Sequence, residues 1–307
     1  MCSREMLCAW GCAFAFVLLG ADVPVWNEAQ SEFFRMTAAE RRERFTNSQW
    51  RASLAFYSRG GKWRTAAKGE WSRFVRLYGV PNVRDFGGLK TKDGMVFRKG
   101  LLYRSAGFNN NAPHRTVTNE VGKVSREYYG KGRERLKPKD REYAVKTLGI
   151  RTDLDLRTDG ECHGMEGSPF GPEVKWAHVP SMSYAGLFSS NGIAAFKKSF
   201  KLLLDERNYP ITFHCSAGAD RTGTLAYVIE ALCGVSDEDL LFDWELTAFS
   251  STGRQFSHEK RYDRLVAGFR KYPGACTRDR VEAFVREQGF TDADIARLRE
   301  MLLVPTP

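Results

Sequence analysis

The chain has 307 residues, of which 42% are hydrophobic and 27% are charged, and its formal net charge is +10. A chain of this length and composition can bury one sizeable core, or one core with a small appendage. The sequence shows no internal repeat, zinc-ligand spacing, helix-turn-helix pattern or Walker loop. It therefore excludes a repeat architecture and argues against a nucleic-acid or nucleotide function.

The leading segment, residues 1–21, forms a separate unit. Its first five residues supply one arginine, and sixteen uncharged residues then follow, ending in Gly20 and Ala21. This run is short for a membrane span, and the small residues at its end are typical of a secretory signal peptide. We predict a signal peptide and a secreted or periplasmic protein. The alternatives are an uncleaved membrane anchor and a start codon placed too early.

Residues 22–77 form a basic N-terminal arm. Eleven Lys or Arg stand against four Asp or Glu between residues 31 and 76, so this stretch alone contributes +7. Aromatic residues are interleaved with these charges: Trp50, Phe56, Tyr57, Trp63, Trp71 and Phe74. The mixture favours an element docked on its own domain with its charged face in solvent. Contact with an anionic surface or an acidic partner is the alternative.

Two short motifs follow the arm and flank an irregular segment. Residues 82–89 read Asn-Val-Arg-Asp-Phe-Gly-Gly-Leu, and residues 155–161 read Asp-Leu-Arg-Thr-Asp-Gly-Glu. The second motif leaves the end of a short apolar strand, where an open α/β sheet binds its ligands. Between the motifs, residues 107–139 are polar and rich in Asn, Gly and Lys. They indicate an insertion loop with at most short helices, either a lid or a surface decoration.

The strongest signal is the segment 214–223, which reads His-Cys-Ser-Ala-Gly-Ala-Asp-Arg-Thr-Gly. An apolar run over 209–214 predicts a buried strand before it. Apolar residues at helical spacing from Leu225 to Leu232, followed by Gly234, predict a helix after it. The order is strand, loop, helix.

This order creates a phosphate-binding nucleophile site. The N–H groups of the first helical turn lack helical acceptors and, with the loop amides, surround phosphate oxygens. The helix N-terminus and a guanidinium stabilise the Cys215 thiolate, and Arg221 can bind two phosphate oxygens. The Thr222 hydroxyl is placed to hydrogen-bond the sulfur. The predicted substrate-binding residues are His214, Ser216, Ala217, Gly218, Ala219, Thr222 and Gly223. The alternative, a structural cysteine beside an ordinary turn, does not explain the whole set.

The C-terminal third indicates helices packed around the sheet. Ser236 with Asp239 resembles a capping box for a helix through Phe249, and Thr291 with Asp294 resembles another for the last helix.

The segment 214–223 resembles the H-C-x5-R-[ST] signature of the protein tyrosine phosphatase superfamily. The motifs at 82–89 and 155–161 resemble the N-x-R-D-x-G-G-L and D-L-R elements of its bacterial atypical branch, which includes dual-specificity and phosphoinositide-active members. The resemblance covers about residues 78 to 303. It implies a catalytic domain over 78–307 with an α/β fold, in which helices flank a central sheet and the P-loop lies at a strand-to-helix junction. It also implies hydrolysis through a phosphocysteine, without a metal or an organic cofactor.

The general acid has three candidates. The resemblance favours Asp155, the aspartate of the D-L-R element, ahead of Asp220 inside the loop and Asp159. Asp155 has an alternative role, in which it orients Arg221 or caps a helix.

One departure bears on the substrate. Related loops carry a lysine where this chain has Ala219, and losing that cation removes a contact for polyanionic inositol headgroups. The expected substrate is therefore phosphotyrosine in proteins, with a phosphoinositide as the alternative. A non-catalytic adaptor that binds a phosphorylated partner is the hypothesis from another class.

Overall fold

The computed structural model describes residues 22–56, 61–67, 69–250 and 259–306. The predicted signal peptide, residues 1–21, and Tyr57 of the arm lie outside these ranges. No helix in the described ranges is both long and apolar enough to cross a membrane.

A five-stranded sheet forms the centre of the molecule, in the order β3-β5-β10-β8-β9. Its strands are β3 (Arg84–Asp85), β5 (Leu102–Ala106), β8 (Thr152–Asp155), β9 (Lys175–His178) and β10 (Ile211–Cys215). The last four run parallel, and β3 is antiparallel to β5 at one edge. Every residue of β5, β8 and β10 is buried, as expected for parallel strands covered on both faces.

Three two-stranded sheets lie around it: β1 (Asp22–Val25) with β2 (Lys62–Thr65), β4 (Met95–Phe97) with β11 (Leu303–Pro305), and β6 (His114–Thr118) with β7 (Val124–Tyr128). The α-helices of the described residues are α1 (Glu28–Phe33), α2 (Ala38–Arg44), α3 (Ser48–Leu54), α4 (Pro138–Glu142), α5 (Ser190–Leu203), α6 (Asp220–Leu232), α7 (Asp237–Glu245), α8 (Glu259–Phe269), α9 (Thr277–Glu287) and α10 (Asp292–Leu302).

Helix α6 passes through the main hydrophobic core. All of its residues from Thr222 to Leu232 are buried, so other parts of the chain cover it on every side. Leu154 of β8 and Phe213 of β10 belong to the same core and are 0% exposed. The α/β class predicted from the sequence, with helices flanking a central sheet, is confirmed.

The strand register brings the predicted site residues to one edge of the sheet. Cys215 stands opposite Ala106 of β5, and His214 stands opposite Asp155 of β8. Because the carboxyl ends of parallel strands share an edge, the loops after β5, β8 and β10 meet there.

The aromatic residues of the arm pack on the rest of the molecule. Phe33, which is 0% exposed, contacts the rings of Phe242 and Phe249, with centroids 5.4 and 5.1 Å away. Arg41 of α2 is buried and forms an ion pair with Glu245 of α7. The docked arrangement expected for the arm is therefore confirmed for its described residues.

The segment 107–139 differs from expectation, because it contains the hairpin β6–β7 where a loop with at most short helices was predicted. Asn119 closes the turn by accepting hydrogen bonds from the backbone N–H groups of Val121 and Lys123, at 3.2 and 2.8 Å. Alternating Thr and Val residues then suit paired strands. The polar composition of the segment concealed the side-chain alternation that is typical of strands.

The predicted caps near the C-terminus are present. Ser236 accepts from the backbone N–H of Asp239 at the start of α7, and Thr291 with Asp294 forms a full capping box for α10. Helix α7 ends at Glu245 and a 3-10 turn continues to Phe249, so the predicted helix is tighter in its last turn.

We expect the arm to contribute substantially to stability. Phe33→Ala is expected to lower the free energy of unfolding by about 3–5 kcal/mol, because it leaves a cavity between α1 and α7. Urea unfolding measures this loss. The matched control is Phe34→Ala, since Phe34 is 38% exposed and should cost clearly less. Equal losses in the two variants would show that Phe33 does not anchor the arm.

Candidate active site

The P-loop, residues 215–221, joins β10 to α6. Ala219 precedes the helix without a side-chain cap, and the backbone N–H of Gly223 is 3.0 Å from the Ala219 carbonyl. The N–H groups of Asp220 and Arg221 therefore precede the first helical hydrogen bond and remain available to an anion. The N–H of Thr222 lies by the Cys215 sulfur. The strand-loop-helix order predicted from the sequence is present.

Gly218 allows the loop to turn against the end of β5. Its φ is +67°, and a Cβ at this position would lie 2.5 Å from the carbonyl oxygen of Ser105. Any other residue would be strained by its backbone angle and would collide with a central strand. Gly223 has a related role, because its Cβ would lie 2.9 Å from the ring of Trp244.

Cys215 is buried, with 1% of its surface exposed. Burial raises the pKa of its thiol, but the positive charge of Arg221 and the nearby hydroxyl and backbone N–H of Thr222 outweigh that effect and lower the pKa below its usual value. The loop thus favours the thiolate, the form that acts as a nucleophile.

Arg221 is held by Glu161, a residue that was not among those predicted for the site. Its Nη1 and Nη2 donate to the two carboxylate oxygens at 2.5 and 3.0 Å. Glu161 also accepts from the Ser216 hydroxyl at 2.7 Å and from the Thr158 backbone N–H at 2.9 Å. Burial opposes its ionisation, but the bond and charge of Arg221 lower the pKa of Glu161 to about 2. The signal for this residue was the final glutamate of the 155–161 motif.

The structure does not favour Asp155 as the general acid. It is 0% exposed, and its carboxylate accepts from Arg157 Nη2 at 2.6 Å and from Arg157 Nε at 2.9 Å. Burial opposes ionisation, yet the charge of His214 and the bonds from Arg157 hold the pKa of Asp155 well below its usual range. A buried carboxylate paired with arginine does not hold a proton to donate. Its partner is Arg157, so Asp155 has neither of the structural roles considered above, which were to orient Arg221 or to cap a helix.

His214 joins the loop to the strand beside it. Its Nε2 is 2.9 Å from Asp153 Oδ1, and its Nδ1 is 3.8 Å from Asp155 Oδ1. Burial lowers the pKa of His214, but the charges of Asp155 and Asp153 outweigh burial and raise it. His214 therefore anchors β10 to β8 directly below the cysteine.

Asp220 lies at the first position of α6, next to Arg221. Its side chain is 19% exposed and accepts from the Tyr184 hydroxyl and from Arg261 Nη1, the latter at 3.2 Å. The third candidate, Asp159, is 90% exposed and 3.8 Å from His178 Nδ1. Of the three, Asp220 combines solvent access with a place on the loop.

Residues of the 82–89 motif and of β5 bind the carbonyl oxygens of the P-loop. Asn82 Nδ2 donates to the carbonyl oxygens of Gly218 and Ala217, at 2.9 and 3.3 Å. Arg104 Nη2 of β5 donates to the same Gly218 oxygen at 3.0 Å. With these carbonyls bound from one side, the loop amides are free to face an anion on the other.

Asp243 of α7 forms ion pairs with three arginines close to the P-loop. It lies 2.5 Å from Arg73, 2.6 Å from Arg104 and 3.4 Å from Arg84. Burial opposes its ionisation, but these charges hold the pKa of Asp243 well below its usual range. Burial and the charge of Asp243 raise the pKa of neighbouring Glu230 well above its usual value. Three arginines thus face one ionised carboxylate, and the excess positive charge lies under the anion site.

The insertion also reaches the loop. Asn111 accepts from the Ser216 hydroxyl at 2.9 Å and donates to Glu161 Oε1 at 3.0 Å. Arg135 Nη1 is 3.4 Å from the Ser216 carbonyl oxygen, and its Nε donates to Asn110 at 2.6 Å. These contacts are absent from the sequence-based prediction because long-range pairing of polar loop residues leaves no periodic pattern. Within the described part of the chain, no three His, Cys, Asp or Glu residues are placed to hold a metal ion.

Glu161 should make stability depend on pH. Because its pKa in the folded protein is below the unfolded value of about 4.3, its contribution is present above that value and is lost as the pH falls towards 2. Glu161→Gln should therefore lower the unfolding free energy at pH 6 and have a smaller effect at pH 3. Urea unfolding at both pH values tests this, with the exposed Glu142→Gln as control. A pH-independent effect would contradict the charge-based role.

Asp243→Asn should both destabilise the fold and disturb the loop. Removing the one ionised carboxylate among three arginines is expected to cost about 3–5 kcal/mol. The pH midpoint for alkylation of Cys215, followed by mass spectrometry of its peptide, should rise as the loop loosens. The control is Asp205→Asn at the surface. An unchanged midpoint in a folded Asp243→Asn protein would contradict the supporting role of the network.

The model of a family described as the tyrosine phosphatase family matches residues 75–122 and 122–304. The chain is 24% identical over 149 residues to a tyrosine-protein phosphatase of Nostoc commune, a match covering 42% of this chain and 50% of that protein. It is 25% identical over 189 residues to a Cupriavidus necator protein named as a candidate tyrosine-protein phosphatase, with coverages of 54% and 59%. The chain spans about half to three fifths of the length of these curated relatives.

Among solved structures, the core catalytic domain of the PP-IP phosphatase SIW14 from S. cerevisiae, in complex with citrate, is 16% identical. The match covers 67% of this chain and 91% of that one, with a TM-score of 0.33. The family model extends from the docked arm to the last helix, and it includes the P-loop and both outer motifs. The protein belongs to the tyrosine phosphatase family.

Proposed function

We propose that this protein hydrolyses phosphate monoesters, with phosphotyrosine in proteins as the substrate, through a phosphocysteine on Cys215. The observation that carries the proposal is a buried thiol with a lowered pKa at the start of the loop that leads to Arg221 and the first turn of α6. Membership of the tyrosine phosphatase family supports it.

The first step transfers the phosphoryl group to the enzyme. The Cys215 thiolate attacks phosphorus, the bond between phosphorus and the ester oxygen breaks, and an acid protonates the departing oxygen. Arg221 and the loop amides bind the equatorial oxygens, where charge develops. In the second step water attacks phosphorus, the S–P bond breaks, and phosphate leaves. Thr222 stabilises the departing thiolate by hydrogen bonding.

Asp220 is the residue that we assign as general acid. It is part of the loop, it is partly exposed, and it neighbours Arg221, whereas Asp155 is sealed in an ion pair with Arg157. After the first step the ionised Asp220 can accept a proton from the attacking water, as the reverse of its first role requires.

The substrate assignment follows from the loop composition. Ala219 offers no cation, so within the P-loop the positive charge comes from Arg221 alone, which matches one phosphate group. The names of the curated relatives agree with phosphotyrosine.

The proposal predicts metal-independent hydrolysis of an aryl phosphate and of a phosphotyrosine peptide by the wild-type protein. Cys215→Ser should abolish turnover of both in the presence of a chelator. Turnover that survives in Cys215→Ser, or that requires added metal, would contradict the mechanism. Hydrolysis of phosphoinositides with clearly higher kcat/KM than phosphotyrosine peptides would overturn the substrate assignment.

Substrates whose leaving groups differ in basicity test the assignment of Asp220 as the general acid. Asp220→Asn should lower kcat by about a hundredfold or more for a phosphotyrosine peptide, whose leaving group needs a proton. It should lower kcat far less for an aryl phosphate with an acidic leaving group. Asp155→Asn is the comparison, and its effect should be equal for both substrates because it acts through the fold. The opposite pattern would return the acid role to Asp155.

A further inference from the structure

The hairpin β6–β7 is fixed to the phosphate site at its base. Asn111 precedes it and bonds Ser216 and Glu161, while Arg135 follows it and approaches the Ser216 carbonyl. The backbone N–H of Ala112 also donates to the Glu161 carbonyl at 2.9 Å. The hairpin therefore has a defined position beside the P-loop.

One face of the hairpin covers the turn that carries Glu161. A Cβ on Gly160 would lie 2.4 Å from the ring of Tyr128, so this ring rests directly on the turn. Residues paired across an antiparallel ribbon share a face, and so do residues two apart. Arg126 and its partner Thr116 are therefore on the same face as Tyr128, one step of about 7 Å further from the base.

The cations of the hairpin and its base differ in whether a carboxylate pairs with them. Arg115, on the opposite face, is neutralised by Glu127 at 2.8 Å. Arg126, Lys131 and Arg133 are exposed, and no carboxylate of the described residues forms an ion pair with them. Lys131 lies at the base, where its Cβ would be 3.2 Å from a Cβ on Gly164. The face beside the phosphate site thus presents unpaired cations.

The hairpin also offers apolar contact area. Val124 is 63% exposed on the Arg126 face, and Tyr129 is 54% exposed near the base. Within the described residues β6 and β7 pair only with each other, so the ribbon has an outer edge to which an extended segment can add.

We infer that the hairpin β6–β7 binds an acidic segment of the phosphorylated protein next to the phosphotyrosine. This inference rests on the proposed function and names the substrate class of the same site. Arg126 and Lys131 attract carboxylates that flank the phosphotyrosine, and the exposed apolar residues contact the same segment. A peptide fits better than an inositol headgroup, because Arg126 lies on an extended ribbon to which a peptide strand can add, and the P-loop itself has no additional cation.

Equilibrium binding tests the inference without requiring turnover. The full chain carrying Cys215→Ser is titrated with two labelled phosphotyrosine peptides that differ only in having acidic or neutral flanking residues. The acidic peptide should bind about tenfold more tightly at low salt, since exposed ion pairs with Arg126 and Lys131 each add modestly to the affinity. The preference should fall as salt is raised.

Charge reversal locates the surface. Arg126→Glu with Lys131→Glu, in the same Cys215→Ser chain, should reduce the preference to about one. The control is Lys90→Glu with Lys92→Glu, which changes the same charge at the other end of α6, where the Lys92 N–H bonds the Gly234 carbonyl. The 13 residues of α6 span about 20 Å, so the control should keep the preference. Thermal unfolding confirms that each variant is folded.

The outcomes separate the inference from the proposed function. If wild-type protein hydrolyses an aryl phosphate but neither peptide is preferred, the inference is wrong and the proposed function stands. If no monoester is hydrolysed but the charge-dependent preference persists, the surface is real and the proposed function is wrong. Loss of binding to phosphatidylinositol phosphate vesicles in the Arg126 and Lys131 variant, with peptide binding unchanged, would assign the surface to a membrane instead.

Discussion

The structure depends on lowering the pKa of a buried cysteine. Cys215 is 1% exposed, and burial by itself raises the pKa of a thiol. Only positive charge and oriented hydrogen-bond donors close to the sulfur reverse that effect. The junction of β10 with α6 supplies them, because it aims the first helical turn at the sulfur and places Arg221 beside it.

The remaining features of the site hold these donors in position. Glu161 fixes the guanidinium of Arg221, and Asn82 and Arg104 bind the carbonyl oxygens on the outer side of the loop. The carboxylate of Asp243 offsets part of the positive charge of the arginines that support the loop. Each of these residues supplies a hydrogen-bond or charge partner for a buried group next to it and so offsets the cost of removing that group from water. This explains why so many charged residues are buried near one end of the sheet.

The docked arm extends this arrangement outward. Arg41 of the arm pairs with Glu245 of α7, the helix that also carries Asp243. The phenyl rings of the arm pack on the same part of the chain, around Phe242 and Phe249. A segment that the sequence marks mainly by its basic charge therefore contributes to the support of the active site.

Local patterns explain what could be predicted from the sequence. The strand before Cys215, the helix after it and the caps of the last helices depend on contiguous residues, and all are present. The role of Asp155 could not be deduced in this way, because its burial and its pairing with Arg157 arise only when β8 is enclosed in the sheet. Asn111 was missed for the same reason, since its partners lie 50 or more residues away along the chain. The hairpin pairs locally, but its polar composition concealed the alternation of side chains.

The most direct test of the central claim is detection of the covalent intermediate. Wild-type protein is mixed with an aryl phosphate, quenched in acid within the first turnover, and its peptides are analysed by mass spectrometry. The account predicts that the peptide containing Cys215 gains the mass of one phosphoryl group, and that Glu161→Gln accumulates this species more slowly. Turnover without phosphate on Cys215, or phosphate on another residue, would contradict it.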